Sequence, residues 1–263
     1  MGQQSAIEWT ESTWNPITGC TKISLGCQNC YAERMALRLK GKGSPNYRNG
    51  FKITSHQHML NLPIKWKKSR MIFVNSMSDL FHEEVHLDFI QSVFKVMNDC
   101  PQHIFQVLTK RSERIVELNQ FLSWTNNIWM GVTIEHEKYL HRMKHLKQTD
   151  AKIKFISFEP LLSSIPQIEL DNIDWIIVGG ESGPGSRTLN EEWVVNIKNQ
   201  CLSHYIPFFF KQWGGVNKKK AGRLLNGKEW NQVPDSDCNT SRNLDDQYEL
   251  ENVKCQKPQV YIK

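Results

Sequence analysis

Residues 175–183 read Trp-Ile-Ile-Val-Gly-Gly-Glu-Ser-Gly. Four apolar residues in a row, rich in β-branched types and without alternation, suit a strand covered on both faces, and the glycines that follow end it in a turn. The layout recurs. Apolar runs at 71–75 (Met-Ile-Phe-Val-Asn), 103–108 (His-Ile-Phe-Gln-Val-Leu), 128–133 (Ile-Trp-Met-Gly-Val-Thr), 154–157 (Lys-Phe-Ile-Ser) and 206–210 (Ile-Pro-Phe-Phe-Phe) also give way to polar or glycine-containing residues. The stretches 87–99, 111–121, 135–148 and 190–204 have helical spacing and are long enough for crossover helices. With one more strand expected just before Cys20, the chain offers six or seven βα units. The predicted class is α/β, a partial or complete parallel (β/α) barrel, TIM-like, in preference to a doubly wound open sheet.

A chain of 263 residues buries one substantial core. The expected division is a barrel domain over residues 1–234 and a loosely ordered polar tail over 235–263, where Asp-Ser-Asp, Asn-Thr-Ser-Arg and Leu-Asp-Asp-Gln replace the apolar runs. No stretch of 18 apolar residues occurs, and residues 1–11 lack the basic-then-apolar layout of a secretory signal. A cytoplasmic protein without a membrane partner is expected. The net charge of +6 permits a nucleic-acid partner without demanding one. The basic run Lys218, Lys219 and Lys220 reads as a solvated loop.

Chemistry-bearing side chains follow the strands: Asn75, Ser76, Ser78 and Asp79; Thr109, Lys110 and Arg111; Thr133 and Glu135; Glu159; Glu181 and Ser182; Lys211 and Gln212. In a barrel the C-terminal strand ends converge on one mouth, so these groups are expected to share one site. Asp79, His82 and Glu159 are the catalytic candidates. Arg111 and Arg114, one helical turn apart, suit either a carboxylate or phosphate ligand or an ordinary helix surface. Trp9, Trp14, Trp213 and Trp230 suit core packing more than base stacking.

Seven cysteines, an odd number, argue against a closed disulfide framework and leave thiolates available as ligands. Three of them stand in Cys20-Thr-Lys-Ile-Ser-Leu-Gly-Cys27-Gln-Asn-Cys30, a loop that Gly19 and Gly26 allow to fold tightly. A two-residue gap suits adjacent corners of an iron–sulfur cubane, and the longer gap lets the chain wrap to a third corner. Three thiolates leave one iron open to a substrate or cofactor. Cys100 and Cys201 lie in or beside predicted helices as core thiols, and neither they nor Cys238 and Cys255 make a fourth ligand. Zinc in a Cys3His site is the alternative occupant. His82-Glu83-Glu84-Val85-His86 matches the His-Glu-x-x-His signature of zinc proteases, yet it follows directly on a predicted strand and lacks a downstream third histidine motif.

The spacing Cys-x6-Cys-x2-Cys after a first strand resembles the cluster loop of radical S-adenosylmethionine (radical SAM) enzymes, whose usual first gap is three residues shorter. More closely, Trp14-Asn-Pro-Ile-Thr-Gly-Cys20, Cys27-Gln-Asn-Cys-Tyr-Ala-Glu-Arg34, Phe73-Val-Asn-Ser-Met-Ser-Asp-Leu-Phe-His82, Phe158-Glu-Pro-Leu161 and Gly179-Gly-Glu-Ser-Gly183 resemble an uncharacterised three-cysteine family common in phages and prophages, over about residues 5–234. The radical SAM resemblance implies a [4Fe-4S] cluster on Cys20, Cys27 and Cys30, and S-adenosyl-L-methionine on the open iron. It also implies an external electron donor and a deoxyadenosyl radical that abstracts hydrogen from a substrate. Ser78, Gly179, Gly180 and Glu181 are the expected contacts to that cofactor, the glycines because they let backbone come close. Two further functions stand beside this one: a zinc-stabilised nucleic-acid-binding protein, and a zinc metalloprotease acting through His82, Glu83 and His86.

Overall fold

A computed structural model describes residues 5–235. Seven parallel strands form a curled partial barrel, an α/β arrangement consistent with a TIM-like fold. They are β1 (Ser12–Trp14), β2 (Met71–Val74), β3 (Ile104–Thr109), β4 (Ile128–Thr133), β5 (Ile153–Phe158), β6 (Trp175–Gly179) and β7 (Phe208–Gln212). Strand order in the sheet follows chain order, so every connection is a simple parallel crossover. The strand expected just before Cys20 lies earlier, at β1. Ile17–Thr18 instead turns out of the sheet to pair antiparallel with Thr54–Ser55, which frees residues 20–30 to lie over the mouth.

The crossovers contain α2 (Leu87–Asn98), α3 (Ser112–Leu118), α4 (His141–Lys147) and α5 (Glu191–Ser203), while α1 (Tyr31–Gly41) follows the cysteine loop. The stretch 135–148, expected to be helical throughout, holds only a 3-10 turn (Glu137–Tyr139) and the short α4. Between β5 and β6 the chain crosses without an α-helix. The tail from 236 onward, with Cys238 and Cys255, lies outside the described residues. Lys218–Ala221 forms a single helical turn, in place of the expected loop.

Period-two alternation divides the strands between two cores. Ile72, Val74, Phe105, Val107, Met130, Val132, Ile156, Ile176 and Phe208 pack with helix residues such as Ile90, Ile115, Leu146 and Val194 on the outside of the sheet. Phe73, Trp129, Phe155, Trp175, Ile177 and Phe209 face the concave side, where Trp9 joins them. Gly131 lies on that side because a Cβ there would stand 2.5 Å from the Phe155 ring. The concave core fills the lower half of the curl, leaving the strand C-termini to carry polar side chains. Trp9 and Trp14 are buried core residues, and the Trp213 and Trp230 rings pack against the outer core. Among the described residues no helix is long and apolar enough to cross a membrane.

Candidate functional site

The cysteine loop crosses the C-terminal mouth and is tied to the ends of β2, β3, β4 and β6. Gly19, with φ +87°, begins it where a Cβ would lie 2.2 Å from the Lys52 carbonyl oxygen. The Ser78 hydroxyl donates to the Ile17 carbonyl at 2.9 Å and so fixes the base of the loop to the end of β2. Leu25–Cys27 makes a 3-10 turn, and the Gly26 N–H donates to Glu135 Oε1 at 3.2 Å after β4. Asn29 donates to Glu181 Oε2 at 3.0 Å and to the Gly185 carbonyl at 2.8 Å, beyond β6. Cys30 then precedes α1, whose Ala32 and Ala36 pack on Met77.

Cys20, Cys27 and Cys30 are free and half-buried, whereas Cys100 and Cys201 are buried thiols of the outer core. Burial and the Asp79 charge push the Cys20 thiol up to about 11, against the pull of Arg111. Burial also works against the Cys27 thiolate, but Lys110, the Ser24 hydroxyl and nearby backbone outweigh it and lower its pKa. Among the described residues no group of three His, Cys, Asp or Glu side chains is gathered tightly enough to hold a single metal ion.

Arg111 is the hub at the start of the loop. Its buried guanidinium donates to Cys20 Sγ at 3.5 Å, to Thr21 Oγ1 at 2.8 Å, to Asp79 Oδ2 at 3.2 Å and to both Glu83 oxygens at 2.9 Å. It is therefore not the helix-surface residue its spacing allowed. Arg114 reaches the Phe81 and Val85 carbonyls and braces the same segment. Asp79 accepts from Thr109 Oγ1, the Phe81 and Lys110 N–H groups and Arg111. These fill its acceptor sites, so this catalytic candidate holds structure instead.

His82 is likewise engaged at both ring nitrogens. Its Nδ1 accepts from the Glu84 N–H at 3.1 Å, and burial followed by the Arg111 charge keeps the ring neutral at pH 7. Nε2 must then carry the proton and donate to Thr21 Oγ1 at 2.8 Å. His86 stands just before α2, so the His-Glu-x-x-His residues occupy turns and not one helical face. The metalloprotease expectation fails because no lone pair of His82 is free for zinc and the two histidines lack helical spacing.

Glu159, the third candidate, accepts from Trp9 Nε1 at 3.2 Å, Ser157 Oγ at 3.1 Å and Lys211 Nζ at 3.0 Å. Three donors leave one acceptor position on a carboxylate at the rim of the concave core. Glu181 meets Arg187 Nη2 at 2.5 Å and Nε at 2.9 Å as well as Asn29, and Arg187 also donates to the Leu25 carbonyl at 3.0 Å. Burial opposes the Glu181 charge, but Arg187 and Asn29 more than compensate and lower its pKa. Glu181, expected as a cofactor contact, has its oxygens taken by Asn29 and Arg187, and Ser78, expected as another, gives its hydroxyl proton to the Ile17 carbonyl. A Cβ on Gly180 would stand 2.0 Å from the Trp213 carbonyl oxygen, and one on Gly179 would stand 2.8 Å from Glu159 Oε1. The glycines of this turn are thus demanded by neighbouring protein atoms.

The mouth therefore gathers Asn75, Ser78, Asp79, Glu159 and Glu181 at one end of the sheet, as their positions after different parallel strands require. Sequence reasoning missed Thr21, Asn29, Arg142 and Arg187, and it singled out Glu83 only as part of the zinc-protease signature. Asn29 carried a signal in its place between two cysteines, and Arg187 in its place just after the glycine turn. Arg142, whose Nη1 donates to Glu135 Oε2 at 2.7 Å, carried none.

No curated protein is significantly similar to this chain. A solved structure of a spore photoproduct lyase double mutant with bound AdoMet and dinucleoside spore photoproduct aligns with a TM-score of 0.43 at 10% identity, over 76% of this chain and 63% of that one. Spore photoproduct lyase complexed with dinucleoside spore photoproduct aligns with a TM-score of 0.44 at 11% identity over the same shares. The chain thus spans less than two thirds of the length of those proteins. A family model described as a protein of unknown function, DUF5131, matches residues 4–234. This chain belongs to the DUF5131 family.

Proposed function

We propose that this chain is a radical SAM-like enzyme that holds a [4Fe-4S] cluster on Cys20, Cys27 and Cys30 and binds S-adenosyl-L-methionine beside it. One observation carries the reading: a loop with three half-buried free thiols lies across the C-terminal mouth of a partial barrel and is anchored to four strand ends. The donor set fits a cluster better than one ion. Zinc needs all its sulfurs about 2.3 Å from a single point, and no three ligating side chains among the described residues are so gathered. A cubane takes its thiolates at separate corners, and three cysteines leave a corner for a small molecule.

When bound, the cluster supplies an electron to the sulfonium of S-adenosylmethionine and so opens radical chemistry at the mouth. The protein's part is positional. Arg111 and Glu135 hold the first half of the loop, Glu181 and Arg187 the second, and the aromatic concave core keeps water from the lower half of the curl. Glu159, with one acceptor position left, accepts an N–H or O–H of the small molecule, and Lys211 holds that carboxylate in place.

Anaerobic reconstitution with iron and sulfide should give a brown protein. Incubation with dithionite and S-adenosylmethionine should then yield 5′-deoxyadenosine and methionine. Replacing Cys20, Cys27 or Cys30 by Ala should remove most of the iron and sulfide, while Cys100→Ala and Cys201→Ala should not. A colourless protein with stoichiometric zinc sinks the reading. So does a loaded cluster that makes no more deoxyadenosine than the Cys30→Ala control.

A further inference from the structure

The charge of the chain is unevenly placed. Residues 34–78 hold ten of its 33 Lys and Arg and none of its 27 Asp and Glu, so the remainder is net acidic. Arg34, Arg38, Lys40, Lys42, Arg48 and Lys52 are exposed, on α1 and on the segment that folds back along it. The Ser44 N–H donates to the Leu39 carbonyl at 3.0 Å, and a Cβ on Gly50 would stand 3.5 Å from the Lys40 side chain. The Cys20 N–H donates to the Phe51 carbonyl at 3.2 Å, so this basic surface borders the start of the cysteine loop. Arg34 ties it to the turn after β6, donating to the Ser182 and Pro184 carbonyls at 3.0 and 3.2 Å. Glu33, the one carboxylate of α1, is taken by Lys22 at 2.8 Å. Among the described residues no ion pair joins Arg38, Lys40, Lys42, Arg48 or Lys52 to an acid. Lys65, Lys67 and Lys68 lie instead at the far end of the sheet, where the Pro63 carbonyl accepts from His103 just before β3.

We infer that this surface binds a single-stranded nucleic acid and leads it past the mouth. Exposed cations with no acid among them suit the phosphates of a strand. Tyr31 offers such a strand a base contact. Its side chain is 50% exposed, and its hydroxyl donates to the Ser76 carbonyl just past β2, so a half-exposed ring is held fixed beside the cysteine loop. A duplex keeps its bases stacked on one another and has none to lay on that ring. An anionic membrane fits less well. The exposed Met35 and Leu37 project about 160° apart around α1 with Arg34 and Arg38 between them, whereas an inserting helix gathers its apolar residues on one face. An acidic protein fits less well too, because protein interfaces are built on an apolar core depleted in Lys.

The test is fluorescence anisotropy of a labelled oligothymidylate of about 20 nucleotides, titrated with the full chain before and after reconstitution with iron and sulfide. Two triple variants remove equal charge: Arg38→Gln/Lys40→Gln/Lys52→Gln from the surface, and Lys65→Gln/Lys67→Gln/Lys68→Gln from the far end. All six side chains are exposed, so both variants should fold. The surface triple should bind about tenfold more weakly and flatten the salt dependence by about 2 in log–log slope, since each phosphate contact on a single strand adds about 0.7. The far-end triple should stay within about twofold of wild type. Tyr31→Leu should lose about fivefold with the slope unchanged. If the surface triple does not fold, Lys40→Gln and Lys52→Gln replace it, each with a loss of about twofold. Equal losses in the two triples, tighter binding of the duplex with oligodeoxyadenylate, or binding to phosphatidylserine vesicles in place of the strand overturns the inference. A chain that binds the strand through this surface but takes up no iron overturns the cluster reading alone. A loaded chain that ignores the strand overturns this inference alone.

Discussion

Cys20 and Thr21, at the start of the cysteine loop, meet Arg111 in a buried setting, whereas Leu25 and Asn29, further along, meet Arg187 and Glu181 at the half-exposed rim. Both anchors use an arginine and carboxylates to grip loop backbone or side chain. The Arg111 side chain is 4% exposed and its partner Asp79 8%, while Arg187 is 32% exposed over a Glu181 carboxylate that is itself buried. Removing one member of a buried pair leaves an uncompensated charge, but water replaces much of what is lost at a rim. The first anchor should therefore act as part of the fold, and the second as a latch on the loop.

The comparison breaks most visibly at Arg111. Arg111→Met should destabilise the protein by about 3 kcal/mol, because Asp79 and Thr21 lose a buried donor, as urea unfolding would measure. A loss below about 1 kcal/mol would place this anchor with ordinary surface pairs. Gly180→Ala comes next. The added methyl has no space beside the Trp213 carbonyl, so the turn must shift at a cost of about 1–3 kcal/mol, and protease nicking within residues 180–187 should quicken.

Arg187→Met should cost about 1–2 kcal/mol, less than Arg111→Met because the arginine end is open to solvent, although it leaves the buried Glu181 carboxylate with fewer donors. Hydrogen exchange of the 25–29 amides should nonetheless rise while that of the β3 amides stays unchanged. Equal loosening of both regions would erase the distinction between fold and latch.

Acid gives the finest discrimination. Burial opposes the Glu135 charge, but Lys110 and Arg142 overcome it and lower the pKa, as Arg187 and Asn29 do for Glu181. A carboxylate held below its unfolded value of about 4.3 contributes stability above that pH and loses it as pH falls through the folded value. Stability should therefore decline below about pH 4, and Glu181→Gln should flatten that decline slightly. A pH profile of Glu181→Gln as steep as that of wild type would mean that Glu181 contributes nothing to it.

Much of the frame was legible because it rests on local patterns. Uninterrupted apolar runs such as 175–178 mark strands covered on both sides, and their order along the chain became their order in the sheet. The three cysteines were legible from spacing alone, and the convergence of Asp79, Glu159 and Glu181 followed from parallel strands. Their individual tasks were not. Whether a carboxylate faces a ligand or is consumed by the protein depends on donors far away in sequence, as with Glu181 and Asn29, 152 positions apart.

The sequence by itself thus determined the strand set, the parallel class and the triplet of thiols, because periodicity and spacing are properties of neighbouring residues. Only the tertiary structure decided that Arg111 is buried, that His82 has no nitrogen to give a metal, and that Ser78 and Glu181 hold the loop. Each of these depends on which hydrogen-bond partners the closed curl brings within about 3 Å, and that pairing arises from contacts no local pattern encodes.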